Sequence, residues 1–186
     1  MFTPLTLNFF KAHLEQLDSN YLEIGVYFGE SIKELAETYP NKKIIAIDPF
    51  IEDGCTTPHS GVQRGGDLIS QREMTMNGIK DLKNISFYEM TSKKFKELLT
   101  PSLIEELNVG AVYIDGSHWY EDVVIDYNLA LELIGNKKGM ICFDDLDSGH
   151  PDVVRACNEF ISICGDRIVK TIDITHSNRV FILKNV

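Results

Sequence analysis

The chain has 186 residues, 44% of them hydrophobic, with a mean hydropathy of -0.10, which describes one globular domain with a buried core. A net charge of -10 argues against a nucleic-acid partner and favours a small-molecule ligand, or a site whose acids hold a cation. No leader pattern and no apolar run of about 18 residues is present, so neither a signal peptide nor a membrane span is expected, and Cys55, Cys142, Cys157 and Cys164, which form no C-x-x-C pair, are expected as reduced thiols of a cytoplasmic protein.

Thr3-Pro4 opens an amphipathic helix, with threonine as the cap, proline at the first helical position and Leu7, Phe10, Leu14 and Leu17 as the apolar stripe within residues 1–20. The next stretch, YLEIGVYFGES from Tyr21 to Ser31, organises the rest. Tyr21, Leu22 and Ile24 form a short strand, Gly25 and Gly29 mark a loop, and Ser31 starts a helical pattern through Ile32, Leu35, Ala36 and Tyr39. Strand, glycine turn and helix in this order make the ligand-holding corner of an open α/β sheet, where backbone approaches closely and helix amides face an anion. A second strand, Lys43–Asp48, ends in an acid suited to ribose hydroxyls. The dinucleotide fingerprint would need glycine at positions 27 and 30, where Tyr27 and Glu30 stand, and Glu30 would repel a pyrophosphate. S-adenosylmethionine carries no phosphate, and Glu23 suits its ammonium, directly or through water. A turn without ligand significance is the competing reading of the glycines alone.

Residues 50–66 form a long irregular loop with four glycines, read equally as a lid or as a surface loop that carries His59. A helix over Asp67–Lys80, a strand over Ile85–Glu89 and a helix over Lys93–Leu99 follow. Met90, Thr91 and Ser92, at the end of the third strand, stand where an adenine edge would lie, although Ser92 also reads as a helix cap. The strand Ala111–Asp115 precedes Gly116-Ser117-His118 and the helix Tyr120–Ile134. Met140–Phe143 is a fifth strand that ends in Asp144-Asp145, and Pro151 starts a last helix that reaches Cys164. The strands Ile168–Ile174 and Arg179–Leu183 are joined by only four residues, too few for a parallel crossover, so they form an antiparallel hairpin.

Asp115, Asp144 and Asp145 end neighbouring strands and converge on one crevice in such a sheet. Carboxylates so placed repel unless a cation intervenes, and Mg²⁺ or another hard divalent ion suits an all-oxygen donor set. His118, three residues beyond Asp115, is placed to accept a hydroxyl proton. The alternatives are local: Asp115-Gly116 as a turn, Asp144 or Asp145 as caps, His118 as a helix-start residue, and Asp147 or His150 in place of any of them.

E-I-G-V-Y-F-G-E-S, I-I-A-I-D, Y-I-D-G-S-H-W-Y-E-D-V and the later F-D-D resemble the class I S-adenosylmethionine-dependent methyltransferases. The branch most similar is that of the macrocin-type sugar O-methyltransferases, with the catechol and caffeoyl-CoA O-methyltransferases further off. The resemblance runs from Tyr21 to Phe160. It implies a three-layer α/β/α Rossmann-like methyltransferase fold, with a mostly parallel seven-stranded sheet and a C-terminal antiparallel hairpin. By position, Glu23, Gly25, Gly29 and Ser31 would surround the methionine end of the cofactor, Tyr27 would belong to the cofactor pocket, and Asp48 would take the ribose. Thr91, Ser92 and Asp115 would complete that pocket, while Asp115, Asp144 and Asp145 would match the metal-binding acids. The catechol branch has asparagine at the last of these and a lysine base where His118 stands here, and some members lack the metal. The expected activity is O-methylation of a small molecule carrying neighbouring oxygens, with a homo-oligomer left open. No N/D-P-P-Y or Pro-Cys signature for nucleic-acid base methylation is present. A metal-independent transferase and a non-catalytic S-adenosylmethionine-binding protein are the other two readings.

Overall fold

A computed structural model describes residues 3–50 and 68–186, with residues 68–71 described through their backbone alone. The proposed lid, apart from Phe50, lies outside the described residues, as do His59 and Cys55.

Seven strands form one sheet in the order β3-β2-β1-β4-β5-β7-β6. The first five, β1 (Asn20–Ile24), β2 (Ile44–Ile47), β3 (Ile85–Tyr88), β4 (Val109–Ile114) and β5 (Gly139–Phe143), pair in parallel. The hairpin of β6 (Ile168–Asp173) and β7 (Arg179–Leu183) closes the sheet antiparallel, with β7 inserted beside β5. All five residues of β5 and all six of β4 are buried, as expected of strands covered on both faces.

Alternation along the strands separates two cores. Val112 and Ile114 of β4, with Ile141 and Phe143 of β5, face α4 (Ser92–Glu97), α5 (Pro101–Leu107), α6 (Tyr120–Ile134) and α7 (Pro151–Cys164). Ala111, Tyr113, Met140 and Cys142 face the other way, toward α1 (Pro4–Leu14), α2 (Glu30–Thr38) and α3 (Leu68–Ile79). The three-layer architecture is the expected one. Cys142, Cys157 and Cys164 are free and buried, and burial pushes the Cys157 thiol up to about 12. Among the described residues no helix is long and apolar enough to cross a membrane.

The helix ends follow their caps. Thr3 Oγ1 accepts from Thr6 N at 3.1 Å, as the sequence predicts. Ser92 is not the cap of α4: Thr91 Oγ1 accepts from Lys94 N, so the helix starts one residue earlier than expected. The whole of α5 is an addition. It carries the same Thr-Pro signature as α1, with Thr100 Oγ1 accepting from Leu103 N at 3.2 Å.

Candidate active site

The sheet reverses its winding between β1 and β4, and the crevice opens where their carboxyl ends meet. Gly25 lies at this seam with φ 81°, and a Cβ there would fall 1.9 Å from the Asp115 carbonyl oxygen. No side chain fits, which is why the strand must end in glycine. The loop stays left-handed at Tyr27 (φ 53°) and at Gly29 (φ 74°), the N-cap of α2, where no side chain caps the helix amides.

Asp48, just past β2, ties this loop down. Its Oδ2 accepts from Val26 N at 2.8 Å and Tyr27 N at 3.2 Å, and its Oδ1 accepts from Phe50 N at 2.8 Å. With two amides on one oxygen and one on the other, Oδ1 keeps acceptor capacity for a ligand hydroxyl. The Phe50 ring stacks on Phe87 with centroids 5.2 Å apart.

Glu23 is buried beneath the glycine loop and accepts from Tyr21 Oη at 2.7 Å and Ser31 Oγ at 2.5 Å. Burial raises its carboxyl to about 7 against the pull of these two hydroxyls. The Ser31 hydroxyl is thus directed to Glu23, joining β1 to the first turn of α2. Tyr27 is exposed, and its carbonyl accepts from Thr75 Oγ1 at 2.9 Å. Thr91 and Ser92 lie at the start of α4, after the end of β3.

Beyond the seam, the expected acids come together. Ligand oxygens of Asp115, Asp144 and Asp145 all lie within 4.8 Å of one another. Asp144 is buried and anchored: Tyr113 Oη donates to its Oδ2 at 2.5 Å, while Asn178 Nδ2 and Asp145 N donate to its Oδ1. Burial, then the charge of Asp144, pushes the Asp115 carboxyl well above the carboxylate range. Asp145 is held in the opposite direction, its pKa lowered first by the hydrogen bond to His118, whose Nε2 lies 2.8 Å from Oδ2. Asp145 has a left-handed backbone, φ 57°, a conformation Asp tolerates better than most residues.

Three oxygen donors in mutual repulsion fit a hard divalent cation, which would relieve the charge that lifts Asp115. Tyr113 and Asn178, which anchor Asp144, are not among the residues the sequence singles out. Tyr113 reads as one more apolar strand position. Asn178, in the turn between β6 and β7, is 34 residues from Asp144, and no local pattern links them. It is itself fixed by Thr6 Oγ1 and Thr175 Oγ1, which donate to its Oδ1 at 3.1 and 2.8 Å.

Comparison with known proteins agrees with this architecture. Residues 22–146 match the family described as a methyltransferase domain. An uncharacterized protein of Acanthamoeba polyphaga mimivirus is 26% identical over 152 residues, 80% of this chain, and the chain spans only 62% of that relative. Among solved structures, the O-methyltransferase NovP superposes with a TM-score of 0.71 at 14% identity, over 97% of this chain and 80% of NovP. The TDP-rhamnose 3'-O-methyltransferase CalS11 of calicheamicin biosynthesis gives 0.66 at 15% identity, over 96% and 77%. A putative caffeoyl-CoA O-methyltransferase from Staphylococcus aureus gives 0.65 at 13% identity, over 98% and 85%. At such identities the likeness is one of fold.

Proposed function

Because the chain belongs to the methyltransferase-domain family, a class that draws its methyl group from S-adenosylmethionine, we propose that it methylates a hydroxyl oxygen of a small molecule with the help of a divalent cation. The observation that carries this reading is the convergence of Asp115, Asp144 and Asp145 beside His118, at the same sheet edge as the glycine loop. The fold it shares with NovP and CalS11, whose names give them as O-methyltransferases, supports it. The acidic balance suits a small acceptor better than a nucleic acid.

In this reading the open amides of α2 and the loop from Gly25 to Gly29 receive the methionine carboxylate, with Glu23 beneath facing the ammonium. The spare acceptor capacity of Asp48 Oδ1 takes a ribose hydroxyl, and Thr91 and Ser92 border the adenine. Asp115, Asp144 and Asp145 would hold the cation, which supplies Lewis-acid polarisation of the acceptor hydroxyl. Asp145, kept ionised by its pairing, orients the imidazole of His118. With Nε2–H donated to Asp145, Nδ1 of His118 is the basic atom that would accept the proton of the acceptor hydroxyl. The chain's main contribution is alignment for the in-line methyl transfer. An acceptor with two neighbouring oxygens, on a sugar or an aromatic ring, would complete the chelate.

Calorimetric titration of S-adenosylmethionine and its demethylated product, with Mg²⁺ and then with EDTA, tests this. Cofactor binding under both conditions, with a separate Mg²⁺ heat that Asp115→Asn weakens at least tenfold, is expected. Cofactor binding with no metal response would reassign the acids to structure and leave a metal-independent transferase.

A further inference from the structure

The carboxylate group has a neighbour of different chemistry. His118 follows β4, Asp145 follows β5 and His150 is the N-cap of α7, and one ligand atom from each lies within 4.8 Å of the other two. The two imidazoles face each other, with centroids 4.4 Å apart and planes 47° from parallel. All three side chains are reached by solvent, at 35%, 21% and 26% exposure for His118, Asp145 and His150.

His150 also has the support that metal-binding histidines carry. Its Nδ1 lies 3.0 Å from Asp147 Oδ1, and that oxygen accepts from Gly149 N at 2.8 Å. Asp147 N in turn donates to Asp145 O at 2.9 Å, so the loop ties this support to the shared ligand. A carboxylate beside one ring nitrogen places the hydrogen there and leaves the lone pair on the other, here Nε2.

We propose that His118, Asp145 and His150 form a second metal site, selective for a borderline divalent cation such as Zn²⁺, which overlaps the all-carboxylate group at Asp145. Two imidazoles and one carboxylate with an open fourth position make a donor set that suits zinc and its neighbours, whereas Mg²⁺ prefers six oxygens. On binding, the cation takes the Nε2 lone pair of His118, so the hydrogen that Nε2 gives to Asp145 Oδ2 moves through solvent to Nδ1 and the ring stays neutral. Two ligands on a tetrahedral zinc stand about 3.3 Å apart. The pair at 2.8 Å therefore opens by about half an ångström, which side-chain rotation supplies. Zinc in this site occupies the imidazole that the methyl-transfer reading uses as base; only this inhibitory consequence rests on that reading.

The test uses the full chain, stripped of metal, with ZnCl₂, CoCl₂ and MgCl₂ as probes and no methyl donor or acceptor, so its failure is distinct from failure of the transferase reading. One zinc per chain is expected, with affinity reduced at least tenfold by His150→Ala and by His118→Ala, and changed less than threefold by Asp115→Asn. Co²⁺ should give the strong visible bands of a four-coordinate site in the wild type and lose them in His150→Ala. Zinc binding equally weakened by Asp115→Asn, or untouched by both histidine changes, would overturn the proposal. Histidine side-chain NMR of the wild type needs no variant: ring nitrogens of both His118 and His150 should shift together on zinc addition, and shifts of neither would refute the site.

Discussion

At the level of single residues, Glu23 shows how burial shifts a titration. Its carboxyl lies under the glycine loop with a pKa raised to about 7 from the ordinary 4.5. A carboxyl whose pKa is raised on folding binds more protons folded than unfolded, so stability falls as pH rises between these two values. The change is about 3 kcal/mol over that window. Glu23→Gln removes the titration while its amide still pairs with Tyr21 and Ser31. The stability of Glu23→Gln relative to the wild type should therefore be greater at pH 8 than at pH 5 by up to that amount in urea unfolding. A pH-independent difference would mean that Glu23 ionises normally. Asp145 runs the other way, since its lowered pKa favours the folded state above the ordinary carboxylate range and loses that benefit on acidification.

At the level of elements, the seam between β1 and β4 sets the site. Ile24 O accepts from Asp115 N at 2.9 Å and Gly25 N donates to Ile47 O at 2.9 Å, so three strand ends are locked in register around Gly25. Gly25→Ala would drive Cβ into the Asp115 carbonyl, backbone against backbone, at a positive φ. A loss of at least about 3 kcal/mol in chemical denaturation is expected. An unchanged midpoint would mean the two strand ends do not abut. The turn between β6 and β7 acts as a buttress at the same end of the sheet. Ser177 O accepts from Leu146 N at 2.9 Å, and Asn178 reaches Asp144, so the hairpin holds the loop that carries the acids.

At the level of the whole molecule, stability rests on two cores that share one sheet. Phe160 of α7 is buried, with its ring centroid 5.2 Å from Phe143 and 5.1 Å from Phe181. Phe160→Ala should cost about 3–5 kcal/mol, whereas Ile163→Ala on the exposed face of the same helix should change stability by less than about 0.5 kcal/mol. Equal effects in thermal or urea unfolding would contradict the packing of α7. Phe143 directly precedes Asp144, so this aromatic cluster also supports the end of β5 where the acids lie.

Local chemistry determined the order of elements, because hydrophobic period, Thr-Pro caps and short links act within a few residues. The bounds of α6 and β7, the antiparallel final pair and the acids at the ends of β4 and β5 were legible for that reason. The same logic applies to Thr100-Pro101, whose cap and proline mark the start of α5 in the sequence as well. Only the tertiary structure decided the rest. The pairing of β7 with β5, the spending of the Ser31 hydroxyl on Glu23, and the anchoring of Asp144 by Asn178 join residues between 8 and 44 positions apart. The pairing of His118 with Asp145 rather than with backbone likewise needs the ends of β4 and β5 side by side. Such contacts depend on how strands register across the sheet, which the spacing of residues along one strand does not encode.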